Sequence, residues 1–217
     1  IALAADDRTI ACGFKDGMLQ IWDTDSKLPL TPLLAAHKEP VICVVFSSDQ
    51  QKLLSSSDDC TFCLWSRTGA LERTFSGHTD TVHSVAFSSD DTKIASASLD
   101  ATAKIWDALT GDLLQTSIPP CSLHRGPILR AAFSPDDKTV FSGSDDRHVR
   151  IWNGSASFPP FLHNAGIVCI QFSQDDTLIA SGTKDGTIYL WDTAIGELHG
   201  TLSGEPHEVI SVKFSPD

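Results

Sequence analysis

The sequence predicts an all-β fold built from repeated four-stranded units, and three observations carry that prediction. Five tryptophans recur at intervals of 43, 41, 46 and 39 residues. Each of the last four follows a histidine by 28 residues and an aspartate by six. Short β-branched and aromatic runs lie between these markers, bounded by Ser, Asp and Gly clusters, as is typical of strands joined by hairpin turns. A period of this length fits four short strands better than paired helices or leucine-rich turns.

The repeat defines four complete marker sets. In chain order, the histidine, aspartate and tryptophan of each set are His37, Asp59 and Trp65; His78, Asp100 and Trp106; His124, Asp146 and Trp152; and His163, Asp185 and Trp191. Asp16 and Trp22 form a partial set before them. In the clearest unit, Val82 to Phe87 predicts a first strand that ends at a Ser-Ser-Asp-Asp turn, and Leu113 to Ile118 predicts a fourth.

These units resemble WD repeats, the tryptophan–aspartate repeats of β-propellers. The dipeptide that names the family occurs as Trp22-Asp23, Trp106-Asp107 and Trp191-Asp192, and Gly77-His78 matches the glycine–histidine pair that opens the family unit. The remaining units carry looser versions of both dipeptides. The resemblance covers essentially the whole chain and implies a WD-repeat β-propeller with five repeats present.

The resemblance also implies a hydrogen-bond relay inside each blade. Histidine, turn aspartate, a strand Ser or Thr and the tryptophan indole would bond in sequence, because each would be costly to bury alone. The hydroxyl lies ten or eight residues before the tryptophan, and both positions are on the same strand face. The candidates are Ser55 or Ser57, Ser96 or Ser98, Ser142 or Ser144, and Ser181 or Thr183. Cys12 and Phe14 stand at these positions in the first unit, so we expect its relay to be incomplete.

We expect residues 1–217 to form a single propeller domain or segment. Its repeats end near Trp22, Trp65, Trp106, Trp152 and Trp191, and the first strand of another repeat follows at 205–217, where Glu205 takes the histidine position. Two architectures are compatible with this count. The strand Val209 to Phe214 could complete the first blade and close a five-bladed ring. Alternatively, the additional strand at Ile1 to Leu3 favours a segment of a larger array of seven blades or more.

Composition and spacing exclude several function classes. The net charge of −12 argues against a nucleic-acid backbone as partner, and no run is long enough to span a membrane. His, Ser and Asp could suggest a hydrolase triad, but a nucleophile is not needed in repeat after repeat. Cys60 and Cys63 form a single Cys-x-x-Cys, without the second pair that a zinc site would need. We therefore expect no enzyme activity, catalytic residue, metal or cofactor.

The resemblance implies a protein-interaction scaffold that binds protein or peptide partners on the top face of the propeller. By analogy the contacts come from residues three and five after each histidine and from the residue before each turn aspartate. They are Lys15, Pro40, Ile42, Asp58, Thr81, His83, Leu99, Pro127, Leu129, Asp145, Gly166, Val168 and Lys184. The alternative is a ligand-sensing or regulatory repeat region of a larger multidomain protein, such as a repeat-bearing NTPase. Free cysteines would suit an intracellular, preferably cytoplasmic, location.

Overall fold

The computed structural model describes residues 1–116, 124–152, 160–204 and 206–215. Within those ranges the regular structure is entirely β, in twenty strands that form five antiparallel sheets of four. This confirms the all-β class and the repeated four-stranded unit. Among the described residues, no helix is long and apolar enough to cross a membrane.

We call the sheets blades 1 to 5, and in each of them consecutive strands pair. Blade 1 contains β1 (Ala2–Leu3), β2 (Thr9–Gly13), β3 (Met18–Asp23) and β4 (Leu34–Ala35). Blade 2 contains β5 (Val41–Phe46), β6 (Lys52–Ser57), β7 (Phe62–Ser66) and β8 (Leu71–Phe75). Blade 3 contains β9 (Val82–Phe87), β10 (Lys93–Ser98), β11 (Ala103–Asp107) and β12 (Leu113–Thr116). Blade 4 contains β13 (Ile128–Phe133), β14 (Val140–Ser144), β15 (His148–Trp152) and β16 (Phe161–Leu162). Blade 5 contains β17 (Ile167–Phe172), β18 (Leu178–Thr183), β19 (Thr187–Asp192) and β20 (Leu198–Ser203).

The blades pack face to face in chain order, with their first strands side by side. The core lies between blades: Phe62 and Phe75 of blade 2, for example, pack against Val85 and Trp106 of blade 3. The first strands β5, β9, β13 and β17 therefore line the inner wall of the array, which we call the channel wall. Neighbouring blades bury each other's apolar faces, so each blade depends on its neighbours for its core.

Turns between first and second strands bind each blade to the one before it. We call this edge the lower face; its turns contain Gln50, Asp91, Asp137 and Asp176, each with a positive φ. The Asp91 carboxylate of blade 3 accepts the N–H groups of Ser48 and Asp49 in blade 2 at 2.8 and 2.9 Å. Asp137 of blade 4 accepts the N–H of Ser89 in blade 3 at 2.7 Å. The Ser-Asp-Asp turns predicted from the sequence thus also act as clamps between blades.

The expected strand from Val209 to Phe214 does not form. Residues 206–215 have no strand assignment, and Val209 instead contacts blade 5, where the Cys169 thiol bonds its carbonyl at 3.3 Å. In blade 1, β2 already pairs with β1 on one side and β3 on the other, so it leaves no free edge for residues 209–214. The first position in blade 1 is occupied by β1, and closure of that blade by Val209 to Phe214 is therefore a wrong expectation. Glu205 lies outside the described residues.

Candidate functional site

A hydrogen-bond chain crosses each of blades 2, 3 and 4. In blade 3, Nδ1 of His78 lies 2.9 Å from the Asp100 carboxylate, and Nε2 lies 2.8 Å from Oγ of Ser96. The Trp106 indole donates to the same Oγ at 2.8 Å. Since an indole can only donate and a carboxylate can only accept, the Ser96 hydroxyl donates to Nε2 and Nδ1 donates to Asp100. A neutral imidazole with its proton on Nδ1 therefore satisfies every bond.

The same geometry recurs in the neighbouring blades. In blade 2, Nδ1 of His37 is 3.1 Å from Asp59 and Nε2 is 2.8 Å from Ser55. In blade 4 the His124 distances are 3.1 Å to Asp146 and 2.8 Å to Ser142. The serine ten residues before the tryptophan is thus the relay member. The side chain of Trp152, predicted to complete the blade 4 relay, lies outside the described part of the structure.

The serine eight residues before the tryptophan has a different task. Ser98 donates to the carbonyl of Asp80 and accepts the N–H of Asp100, both at 3.0 Å. Ser57 does the same with Glu39 and Asp59. These hydroxyls hold the turn that carries the aspartate, and so they position the relay without belonging to it.

The turn aspartates are held in their charged form. Burial of the Asp100 carboxyl acts to raise its pKa, but hydrogen bonds from His78 and Thr102 outweigh burial and hold the pKa well below its usual value. The pKa of Asp146 is lowered in the same way, against burial, by His124 and the backbone of Arg125. Folding therefore favours the ionised carboxylates in these blades.

Blade 5 departs from the predicted relay. His163 Nδ1 lies 3.0 Å from the carbonyl of Phe161 and does not contact Asp185, so that predicted pair is wrong. Asp185 instead accepts a hydrogen bond from Thr183 at 2.6 Å. The hydroxyl of Tyr189 takes the place of the carboxylate and accepts the N–H of Asn164 at 3.3 Å. The serine side of the hydrogen-bond relay is kept, since Oγ of Ser181 lies 2.7 Å from Nε2 of His163.

Stability should consequently depend on the protonation of His163. Burial is the main cause that lowers the pKa of His163 from 6.5 to about 4. Because the folded pKa is the lower one, its contribution is present above pH 6.5 and is lost as the pH falls towards 4. We expect a loss of about 2 kcal/mol between pH 7 and pH 5. Denaturant unfolding at both pH values should show a shallower pH dependence in His163→Gln, but not in His199→Gln on the exposed strand β20. An unchanged slope in His163→Gln would contradict this.

Blade 1 has no histidine relay. Cys12 and Phe14 occupy the serine positions, and the Trp22 indole has no hydrogen-bond partner within the described ranges. Asp16 still accepts the N–H of Met18 in its turn, at 3.2 Å. The tryptophan period therefore extends to this blade, while the buried polar chain does not.

The predicted contact residues gather at the edge opposite the lower face, which we call the upper face. It is formed by the turns between second and third strands and by the starts of the first strands. In each of four blades, the residue before the turn aspartate donates its N–H to the carbonyl of the residue three after the histidine, at 2.9 to 3.1 Å. The pairs are Asp58 with Pro40, Leu99 with Thr81, Asp145 with Pro127, and Lys184 with Gly166. Lys15 lies exposed in the corresponding turn of blade 1.

The residues five after each histidine sit in β-bulges. Register shifts at the start of β5, β9, β13 and β17 leave one residue of each strand unpaired with the second strand. The unpaired residues are Ile42, His83, Leu129 and Val168. A bulge of this type redirects a side chain and bends the strand. Four bulges in one register therefore direct four side chains towards the same edge of the array.

Side chains of the upper face also connect neighbouring blades. Thr81 of blade 3 donates to the Asp58 carboxylate of blade 2 at 3.0 Å. His83 Nδ1 donates to the carbonyl of Leu129 in blade 4 at 3.0 Å. Lys184 of blade 5 pairs with Asp145 of blade 4 at 2.6 Å. These contacts hold the upper-face residues of blades 2 to 5 in one continuous surface.

Burial separates the predicted contact residues into three groups. Ile42 is 38% exposed, and Lys15, Asp58, Asp145 and Lys184 are exposed as well. Pro40, His83, Leu99, Pro127 and Leu129 are partly exposed.

Thr81, Gly166 and Val168 are buried, which does not support them as contact residues. Thr81 is engaged with Asp58, and a Cβ on Gly166 would lie 2.1 Å from Oδ1 of Asp145. These three residues pack beneath the upper face and do not form part of its surface.

The described residues offer little material for a catalytic or metal site. Groups of three or more His, Cys, Asp or Glu side chains able to hold a metal are absent from the described ranges. Burial raises the pKa of the Cys63 thiol to about 11, and burial also raises that of Cys60, so neither favours the thiolate form. The five cysteines of the described ranges are free.

A large cavity lies on the other side of the molecule. It has a volume of about 710 Å³ and is lined at the lower face by residues such as Ser89, Ser134 and Gln174. Ser89 bonds Asp137, and Ser134 donates to Asp136 at 2.7 Å, so these polar groups are already used by the turns. The cavity is therefore a weaker candidate than the upper face, whose exposed side chains include apolar and charged groups.

Five four-stranded blades packed side by side, three of them crossed by a His–Ser–Asp chain, define a protein of the β-propeller type. A family model described as WD domain, G-beta repeat matches residues 29–66, 69–107, 115–153 and 161–192. The chain belongs to the WD-repeat family.

Two proteins are similar in sequence to part of the chain. BEACH domain-containing protein A2 of Arabidopsis thaliana is 34% identical over 67 residues, which are 28% of this chain and 2% of that protein. The Retinoblastoma-binding protein 5 homolog of Drosophila melanogaster is 34% identical over 67 residues, 30% of this chain and 14% of that protein. The matched segments are thus small parts of much longer relatives.

Proposed function

We propose that the upper face binds a protein or peptide partner and that the chain acts as a non-enzymatic interaction platform. WD repeats generally serve as protein-interaction scaffolds, and this chain is made of them. The observation that carries the proposal is the set of four bulges in one register, three of which leave an exposed or partly exposed side chain at one edge: Ile42, His83 and Leu129.

The chemistry of the face suits a mixed partner. Ile42 and Leu129 provide apolar surface beside the channel wall. The carboxylates of Asp58 and Asp145 and the ammonium of Lys184 are exposed on the same upper face. Apolar anchors surrounded by polar groups are the common composition of a binding surface. A peptide with one apolar anchor and flanking charges fits this arrangement.

The test is affinity capture from a cell extract with Ile42→Asp. We expect the proteins captured most strongly by the wild-type chain to be lost by at least about fivefold, as for an anchor residue of an interface. Leu114→Asp is the matched control, because Leu114 is exposed on the outermost strand β12, away from the rim. Both variants must keep the circular dichroism of the wild type. If the captured set is unchanged in Ile42→Asp, or falls equally in Leu114→Asp, the upper face is not the binding surface.

We also propose that this repeat region works within a longer intracellular protein. Support comes from the matched relatives, of which the shared segments form 2% and 14%, and from the five free cysteines. Other domains of such a protein would be partners of this chain in addition to the ligand of the upper face.

A further inference from the structure

Arg130 is a half-buried cation on the channel wall. It lies on β13, directly after the bulged Leu129, where the first strand faces the interior of the array. Within the described ranges its guanidinium has no hydrogen bond or ion pair. Arg8 and Arg67, by contrast, pair with Asp25 and Asp6. A guanidinium that is partly removed from water without an acceptor is costly, unless a ligand supplies one.

The surroundings of Arg130 place it at the upper end of the channel wall. His83 of blade 3 donates to the carbonyl of Leu129, the residue next to it, at 3.0 Å. Burial lowers the pKa of His83, and the charge of Arg130 lowers it further. On the other side, burial raises the pKa of the Cys169 thiol in blade 5 while the charge of Arg130 opposes that rise. The strand that carries Arg130, β13, packs against β9 of blade 3 and β17 of blade 5, so Arg130 lies between the first strands of these blades, beside the bulged Leu129.

We propose that Arg130 binds the carboxylate of an Asp or Glu side chain of the partner, inserted at the upper end of the channel wall. This rests on the proposed function, since the ligand is a side chain of the partner bound on the upper face. A planar guanidinium binds a carboxylate through two parallel N–H bonds, which gives orientation as well as affinity. The bulged His83 and Leu129 flank the position on which that side chain would rest.

A carboxylate fits this position better than a phosphate. One guanidinium supplies one positive charge, and the carboxylate of Asp58 is close enough to act on the neighbouring His83. The chain as a whole carries a net charge of −12. A phosphate with a charge near −2 would be repelled more strongly than a singly charged carboxylate, and one guanidinium would neutralise only half of its charge.

The test uses labelled pools of nine-residue peptides whose central residue is fixed as Glu, Gln, Lys or phosphoserine, with mixed flanking residues. We expect the Glu pool to bind about tenfold more tightly than the Gln pool, the effect of one charge-assisted bond. Arg130→Met should abolish this preference, and Arg130→Lys should restore part of it. Arg125→Met, which removes the same charge from an exposed position of the same blade, should keep it.

Several outcomes would overturn the inference: no binding by any pool, no preference for Glu, a preference that survives in Arg130→Met, or an equal loss in Arg125→Met. Tighter binding of the phosphoserine pool through Arg130 would replace the carboxylate by a phosphate and also counts against it. The capture experiment with Ile42→Asp is independent. If Ile42→Asp loses its partners while the Glu preference is absent, the upper face binds a partner but Arg130 does not read an acid.

Discussion

Replacing Asp100 by alanine is expected to lower the free energy of unfolding by about 3 kcal/mol. The carboxylate accepts hydrogen bonds from His78, from the N–H of Thr79, and from both the N–H and the hydroxyl of Thr102, at 2.6 to 3.0 Å. Its removal strands these donors in a position where His78 is buried, while the methyl of alanine offers no acceptor. Urea unfolding would measure the loss as a lower midpoint at constant slope.

Two other aspartates provide the controls for this prediction. Asp185 is exposed, and His163 does not depend on it, so Asp185→Ala should cost well under half as much. Asp58 is exposed on the upper face and accepts one side-chain hydrogen bond from Thr81. Asp58→Ala should therefore lower the free energy of unfolding by no more than about 1 kcal/mol. Similar losses in all three variants would show that the relay adds nothing to an ordinary turn aspartate.

The relay in blades 2 to 4 could be predicted from the sequence because its members recur at fixed spacing. What spacing left open was the choice between two serines on one strand face. The indole settles it: Trp65 and Trp106 donate to Ser55 and Ser96, the serines ten residues before each tryptophan. The other serine of each pair faces the turn, where backbone groups satisfy it. Strand periodicity alone does not contain this distinction.

Blade 5 keeps the spacing but not the contact, and two residues explain the difference. Thr183 stands where blades 2 to 4 have serine, and its hydroxyl donates to Asp185. Tyr189 stands two residues before the tryptophan, where its ring packs at 4.5 Å against His163 and its hydroxyl supplies the acceptor. Both substitutions were visible in the sequence. Their joint effect was not, since it depends on which acceptor reaches the N–H of Asn164.

Arg130 lies in the candidate site although the spacing of the repeat does not predict it as a contact residue. The sequence predicts contacts at the positions three and five after each histidine, whereas Arg130 is the sixth residue after His124. At the bulge, Leu129 and Arg130 are both partly exposed beside the channel wall, so a residue outside the expected pattern belongs to the surface. Strand propensity in 209–214 likewise does not produce a strand there, because β1 already occupies the edge of β2.

Phe62→Ala is expected to have the largest effect, a loss of about 3–5 kcal/mol. The Phe62 ring is 1% exposed between blades 2 and 3, where it stacks on Phe75 at 4.4 Å and meets Trp106 edge-on at 5.5 Å. Alanine leaves a cavity that two rigid rings cannot fill, and it removes both aromatic contacts. Phe62→Leu keeps much of the volume and should cost less than about 2 kcal/mol.

The position of Phe62 also predicts how the variant unfolds. In an array whose blades contact their neighbours alone, stability depends on each interface, and this one joins blades 1 and 2 to blades 3 to 5. Phe62→Ala should therefore broaden the denaturant transition or split it, because the two groups of blades become less strongly coupled. Hydrogen exchange should show protection falling first at β7, which carries Phe62, and at β11, which carries Trp106. A single sharp transition with an unchanged slope, shifted equally in Phe62→Ala and Phe62→Leu, would mean that ring packing at this interface does not couple the blades.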